Sequence, residues 1–560
     1  MWRVEADGTG PVAFDGRVRV RVDIAKQDQH SWLDRAYTDR TVLFGTLEAD
    51  LSSSTLLTVS NTYTQVDELP PEYSLPDYLS GAPLDLPRST CLCFTWGTQN
   101  NADRILDAIL QQKIGSNWDI KLSTSRQRQS QLSNEPDLYG AINNYTGAGL
   151  TLSSAEQSPS VYTSTTGDLK VSGAFDLFGR RQEVYLGANY EKDQGTSDTY
   201  NYDIPAGGIP FDVFNFNPNS IPQPSLSNSV FEYVTNGQKQ YGANVGFTLS
   251  FIDPLKLMFG VRWQRYDFNE YLALPGIFSL GPSTPKDSYA GPSYAALTWA
   301  FNPQLTSYIS WADVLQSNFG ELEPNGQTVA PTHGGTYEAG LKFKQPGGVL
   351  NASAALYYTD LKNVALFTGP GTGGDGFLSG CCYSTDNNER ELSYGATFQV
   401  AGQVVSGWQA TFSWQYNVNR YTGSDAGTSE RKPIAGFQPR NVLKLWNTYT
   451  PQLPGWNRFN AGIGVTAQST QTNLGTACSV FAANPAEGCA PTGTTPFVYK
   501  QPSYALVNLK LGYKLSQNWE LTANVDNLFN RLYLSEFLNN NFFNQYGAPL
   551  TWKFGVHGKY

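Results

Sequence analysis

Apolar and polar residues alternate along the end of the chain. From Thr551 to Tyr560, the residues Trp552, Phe554, Val556, Gly558 and Tyr560 are apolar, small or aromatic, while Lys553, His557 and Lys559 are polar. A β-strand turns successive side chains to opposite faces, so this stretch has one oily face and one wet face. Two earlier stretches repeat it. Ala505, Val507, Leu509, Leu511 and Tyr513 alternate with Asn508 and Lys510. Trp519, Leu521, Ala523 and Val525 alternate with Glu520, Thr522, Asn524 and Asp526. Within Phe14 to Lys26, Val18, Val20, Val22 and Ile24 alternate with Arg17, Arg19, Arg21 and Asp23. Segments of about ten residues with an aromatic-capped apolar face and a charged face mark a transmembrane β-barrel.

The connections support the same fold. Short turns are predicted at Gly8 to Pro11, Ser52-Ser53, Gly115 to Asn117, Phe178 to Arg181, Asp253-Pro254, Asn302-Pro303, Pro346 to Gly348, Gly402 to Ser406, Pro451 to Gly455 and Leu515 to Asn518. Pro fixes φ there, and Gly or Asn tolerates unusual dihedrals. Between them lie loops of roughly 13 to 40 residues, which compact soluble folds rarely carry in number. The first is read over about 27–39 and later ones over 67–102, from about 129 to 160, and over 196–235. The segment 67–102 holds Pro70, Pro71, Pro76, Pro83 and Pro87, which no central strand tolerates. Short turns at one end and long loops at the other are the asymmetry of an outer-membrane barrel. A soluble sandwich has turns of similar size at both ends. The reading gives an all-β fold, a transmembrane antiparallel β-barrel of about 21 strands, ten short turns and ten long loops. Asp103 to Lys113 has a helix-like pattern, with apolar residues at 105, 106, 109 and 110, but is read as a strand because it must pair with Trp118 to Ser125.

Composition narrows the class. Hydrophobic residues make up 40% and aromatic residues 13%, which suits a lipid girdle around a polar lumen. No run of 18 apolar residues offers a transmembrane helix. The net charge of −10, without Lys/Arg runs, disfavours nucleic acid as a partner. Met1 is followed at once by Trp2-Arg-Val-Glu-Ala-Asp7, with no leader pattern. An exported barrel carries a leader, so it is expected to have been removed, or the chain to be an N-terminally truncated copy. Six cysteines, Cys91, Cys93, Cys381, Cys382, Cys478 and Cys489, all fall in predicted loops. Cys478 and Cys489 bracket a Pro- and Gly-containing segment and suit a loop-stapling disulfide. The connectivity of the other four is open, and a zinc site is the alternative. No H-E-x-x-H, G-x-S-x-G or Walker A motif occurs, and the Gly-rich 369–376 lacks a following Lys-Ser/Thr, so no enzyme is expected.

Several motifs carry a resemblance. They are Phe14-Asp-Gly-Arg-Val-Arg-Val-Arg21; Leu86-Pro-Arg-Ser89 with Trp96; Gln438-Pro-Arg-Asn-Val-Leu-Lys-Leu-Trp446 followed by Leu453-Pro-Gly-Trp-Asn457; and Asn524-Val-Asp-Asn-Leu-Phe-Asn530 with Tyr533, Tyr546-Gly-Ala-Pro549 and a terminal aromatic strand. Together they resemble the barrel half of TonB-dependent siderophore receptors of the bacterial outer membrane, over nearly the whole chain. Leu550 stands where the family commonly has Arg, and Tyr560 where it usually ends in Phe.

The resemblance implies a family-type barrel of 22 strands, with Trp2 to Asp7 looking like the second. Signal peptide, TonB box, plug and first strand are then expected to be absent. An odd strand number sets the first and last strands parallel, which predicts an imperfect seam between Trp2–Asp7 and Thr551–Tyr560. The resemblance also implies a monomer in outer-membrane lipid that binds a ferric siderophore and is energised by TonB–ExbB–ExbD in the intact family. No protein cofactor or iron ligand is implied, because the siderophore cages the metal. Candidates for the external vestibule are Trp96, Tyr233, Trp311, Tyr337, Tyr358 and Phe543, with girdle or loop packing as the alternative for each. Arg88 is a candidate for an anionic ligand group, with a loop salt bridge as its alternative. A plugless passive pore or a non-functional remnant is the competing functional reading.

Overall fold

The computed structural model describes residues 1–70, 75–275, 278–283, 286–318, 329–367, 383–384, 390–422, 438–537 and 544–559. Its architecture is one sheet of 23 strands. Two of them, Ile209–Pro210 and Phe278–Ser283, are short appendages. The other twenty-one run from Trp2–Ala13 to Thr551–Gly558, each hydrogen-bonded antiparallel to the next along the chain. Asp103 to Lys113 lies inside the strand Gln99–Ile114 and pairs with Trp118–Tyr139 as expected. Among the described residues Trp2–Ala13 pairs only with Val18–His30, and Thr551–Gly558 only with Trp519–Asp526, so no ladder joins the first strand to the last.

Two independent observations show a sheet open on both faces. The accessible surface is 31102 Å², whereas a compact protein of this mass exposes about 20,000 Å². The two faces also differ. Along Trp118–Tyr139, Leu122, Thr124, Arg126 and Arg128 are exposed, while Lys121, Ser123, Ser125 and Gln127 between them are half-buried. A convex face splays its side chains and a concave face crowds them. The convex face carries the apolar band. Leu257, Leu297, Ile309, Ala339 and Leu356 lie in one cross-strand row, and Val465, Val507, Leu509, Val525 and Trp552 are linked in another. Phe554 is 78% exposed and Leu356 66%, which is tolerable only against lipid. The concave face carries paired charges. Arg19 meets Asp50 at 2.6 Å, Arg21 meets Asp7 at 2.5 Å and Lys553 meets Asp526 at 2.7 Å.

Four expectations need correction. Gly8 to Pro11 does not turn; the strand continues to Ala13, and the turn is Phe14–Gly16, where Phe14 and Asp15 take positive φ. Pro11 is tolerated because this strand has one partner, and an edge strand can lose an N–H. The first outer connection spans only 31–36, because Val18–His30 and Tyr37–Ser52 extend further than their apolar runs. The polar segment from about 129 to 160 is not a loop. The strands Trp118–Tyr139 and Thr151–Leu177 continue through it, leaving only 140–150 as connection. The loop read over 196–235 likewise shrinks to the region between Arg180–Asn201 and Glu232–Ile252. Above the lipid both faces are wet, so the ladder goes on while the alternation that reveals it stops.

The faces differ in what they accept. Leu356→Arg, on the lipid-facing band, is expected to destabilise the folded barrel by about 2–4 kcal/mol. Thr397→Arg, on the neighbouring strand but facing inward, is expected to be near neutral. Urea unfolding in lipid vesicles measures both.

Candidate functional site

At the long-loop end, connections distant in sequence fold onto one another as a cap. Segment 70–98 contributes Leu84, Leu92, Phe94 and Trp96 to a buried cluster, joined by Leu138, Ile142, Leu150 and Leu152 and by Tyr202, Val213 and Ile221. Phe94 is fully buried, stacked on Trp96 at 5.7 Å, with Phe211 and Phe216 edge-on at 5.8 and 5.4 Å. The Trp96 indole Nε1 donates to the Ile221 carbonyl at 3.2 Å. Tyr202 Oη donates to Asn134 Oδ1 at 2.8 Å. A second unit is the hairpin Gln471–Cys478 with Thr494–Gln501, stapled by the Cys478–Cys489 disulfide that the sequence suggested. It docks on the first unit: Cys478 N–H donates to the Leu79 carbonyl at 2.7 Å, Asn143 Nδ2 to the Pro485 carbonyl at 2.8 Å, and Tyr145 meets Phe481 edge-on at 5.0 Å. Cys91 and Cys93 form a disulfide with each other, so neither pair offers thiolates to a metal. Cys381, Cys382 and the Gly-rich 369–376 lie outside the described residues.

The C-terminal motif is a knot of hydrogen bonds beside this cap. Asn527, at φ +50°, donates from Nδ2 to the carbonyls of Arg531 (3.0 Å) and Ala548 (2.9 Å), and its Oδ1 accepts from the Arg531 N–H at 2.8 Å. Asn530 Oδ1 accepts from the Leu550 N–H at 3.1 Å. The Tyr533 ring occupies the space a Cβ at Gly547 would need, so only glycine fits there. Arg88 reaches this knot from segment 70–98, donating from Nη1 to Asn530 Oδ1 at 2.7 Å and from Nη2 to the Arg531 carbonyl at 2.8 Å. Nearby, Asn544 Nδ2 donates to Asp77 Oδ2 at 3.0 Å, and Asn544 Oδ1 is buried without a partner. Burial pushes the Asp77 carboxyl up to about 7, against the Asn544 hydrogen bond, which favours the charged form.

These placements relocate the vestibule candidates. Trp96 is in the cap core, and Arg88 clamps the C-terminal knot rather than forming a salt bridge. Trp311, Tyr337 and Tyr358 stand directly opposite one another on three neighbouring strands, in the same alternation as Ile309, Ala339 and Leu356. Their rings therefore face outward, where they line a shallow groove of about 570 Å³ with Leu257 and Leu297. Tyr233 also follows the outward alternation and meets the Tyr271 ring at 6.0 Å. Phe543 lies outside the described residues. The concave wall near the mouth holds residues that the sequence reading did not single out. Asn189 Oδ1 accepts from Arg262 Nη2 at 3.3 Å, and Gln240 Nε2 donates to Tyr266 Oη at 3.3 Å. Buried Asp193 Oδ1, Asn244 Oδ1 and Arg262 Nε have no partner there. Tyr162, Phe268 and Tyr421 share this inward alternation. Such a wall offers ring faces, amides and a guanidinium to a polar ligand. Among the described residues no group of three His, Cys, Asp or Glu comes together.

Two tests address the cap. Asn527→Ala leaves several buried groups unpaired and is expected to cost about 1–3 kcal/mol in chemical unfolding. Asp77 binds its proton more tightly in the folded cap than in the unfolded chain, where a carboxyl titrates near 4. The cap is therefore most stable in acid and loses stability as pH rises from about 4 through about 7. Amide exchange over residues 75–83, corrected for intrinsic rates, is expected to follow that curve, and Asp77→Asn to flatten it.

Residues 27–528 match the family model described as TonB dependent receptor-like, beta-barrel. The chain is 26% identical over 567 residues to the ferric-pyoverdine M114 receptor PbuA of Pseudomonas sp. (strain M114), covering 99% of this chain and 64% of that protein. It is 24% identical to the ferripyoverdine receptor of Pseudomonas aeruginosa, at the same coverage of each. The chain thus spans just under two thirds of these relatives' length. Its fold is that of the pyoverdine outer membrane receptor FpvA from Pseudomonas aeruginosa PAO1, with a TM-score of 0.85 at 21% identity over 100% of this chain and 76% of that one. It is also that of the siderophore receptor PiuA from Acinetobacter baumannii, with a TM-score of 0.77 at 17% identity over 100% and 79% of the two chains. With its antiparallel sheet, lipid-facing band and long-loop cap, the chain belongs to the TonB-dependent receptor-like β-barrels of the bacterial outer membrane.

Proposed function

We propose that residues 1–560 supply the barrel domain of a receptor that takes up a ferric siderophore of the pyoverdine class. In this reading it is a monomer set in outer-membrane lipid, energised by TonB–ExbB–ExbD, and a transport receptor rather than an enzyme. The observation that carries the reading is similarity to ferric-pyoverdine receptors along 99% of the chain. The wall at the mouth supports it. A siderophore cages its iron and offers a polar periphery with ring systems, so the protein's task is to stack and hydrogen-bond rather than to ligate metal. Tyr162, Tyr266, Phe268 and Tyr421 supply ring faces, and Arg262 supplies positive charge without an ion-pair partner among the described residues. A preformed wall holds such a ligand without ordering long side chains. Trp96 and Arg88 act as positioning residues, since they fix the cap over the mouth.

Titration of ferric pyoverdine against the folded chain, read by intrinsic fluorescence quenching, tests this. Saturable binding is expected. Tyr266→Ala and Tyr162→Ala are expected to weaken it about tenfold, the scale of losing one stacked ring. Tyr337→Ala and Tyr358→Ala, on the lipid side, are expected to leave it unchanged. Absence of saturable binding favours the passive-pore reading, and equal loss from both pairs contradicts the inward site.

A further inference from the structure

The outward face above the apolar band carries a basic patch that siderophore uptake does not use. Arg104, Arg126, Arg128, Lys192 and Lys239 follow the same alternation as Leu106, Leu122, Leu186 and Val245 on their strands, so they point away from the lumen. All but half-buried Lys192 are exposed. They lie between eight (Arg126) and thirteen (Lys239) residues from the short-turn ends of their strands, a range that brackets the length needed to span the hydrocarbon layer. Just below sit the facing rings of Tyr190 and Tyr241, with centroids 5.4 Å apart, in the position of an interfacial aromatic belt. The patch therefore stands at the head-group level of the outer leaflet.

The register within the patch is unfavourable for the protein alone. Arg104 stands directly opposite Arg128, and Lys192 directly opposite Lys239. Arg126 faces Thr165, which in turn faces Lys192. Like charges directly across a ladder destabilise it. Acidic relief is lacking: among the described residues none of the five forms an ion pair. Asp267 stands opposite Lys239, but its carboxylate accepts from Arg265 Nε at 3.0 Å. Arg104 has only a neutral partner, Asn61 Oδ1, at 3.1 Å. On the same outward face Arg265 is satisfied by Asp267, whereas these five basic groups are left open to an external anion.

We propose that this patch docks the phosphate groups of outer-leaflet lipid. Guanidinium forks donate to phosphate oxygens two at a time, and lysine stems lie along the belt while their ammonium groups reach the head groups. The acyl chains of the same lipid then lie on the Leu106, Leu122, Leu169 and Leu186 band. The inference rests on the outer-membrane barrel reading, not on the identity of the siderophore.

The test uses the 560-residue chain folded in neutral detergent, with barrel folding checked by heat-modifiable gel mobility. Bound lipid is counted by native mass spectrometry after incubation with diphosphoryl lipid A, dephosphorylated lipid A or phosphatidylcholine. Diphosphoryl lipid A is expected to bind in preference to both others and to resist excess inorganic phosphate. The variant R104Q/R126Q/R128Q/K192Q/K239Q is expected to lose affinity at least about tenfold. If that variant does not fold, R104Q/R128Q is measured instead, with a loss of at least about threefold expected. Equal retention by a folded variant, equal binding of the dephosphorylated lipid, or displacement by inorganic phosphate overturns the proposal. Ferric pyoverdine titration of the same variants is expected to be unchanged, which separates failure here from failure of the transport reading.

Discussion

Lipid offers a peptide group nothing to bond with, and this constraint governs the whole molecule. Each backbone N–H and C=O at membrane depth must find a partner in a neighbouring strand, because an unsatisfied group there costs several kcal/mol. Twenty-one strands in consecutive antiparallel ladders meet that demand everywhere except along the outer edges of the first and last strands, which no ladder joins among the described residues. Once the backbone is committed, each strand has two faces only. One must match hydrocarbon and the other water, which is why Val525 and Trp552 stand opposite each other outward while Asp526 and Lys553 pair inward.

Above the membrane the constraint relaxes, and a different physics takes over. Strands such as Trp118–Tyr139 and Thr151–Leu177 continue with polar residues on both faces. The connections between strands then build a small core of their own, with Phe94, Ile142 and Leu152 fully buried. Burial of aromatic rings holds this cap together, and Arg88 and the Asp77–Asn544 bond tie it to the C-terminal knot. The mouth of the barrel is thus framed by tertiary structure rather than by independent loops.

The sequence is informative where lipid is the solvent and weak where water is. Alternation located strands such as Tyr504–Lys514 and Trp519–Asp526, and even the helix-like Asp103 to Lys113 was placed by the strand it must pair with. Strand ends above the lipid carry no such signal. The clamp at Arg88 was invisible because its partner Asn530 is 442 residues away. For Trp311, Tyr337 and Tyr358 a signal was present: each is two residues from Ile309, Ala339 or Leu356, and therefore on the oily face. Reading aromatics by type alone assigned them to the vestibule; reading them by parity assigns them to the girdle. The motif Asn524 to Asn530 was recognisable as a string, but its reason, a left-handed Asn527 bonded to Arg531 and Ala548, needed coordinates.

Each membrane-spanning strand is oily outward and wet inward. Spin labels placed singly at residues 552 to 557 of the chain in lipid vesicles test it most directly, by comparing collision with oxygen and with a water-soluble nickel complex. Strict alternation is expected: labels at 552, 554 and 556 meet oxygen, and labels at 553, 555 and 557 meet nickel. Uniform nickel accessibility, or the opposite alternation, contradicts it.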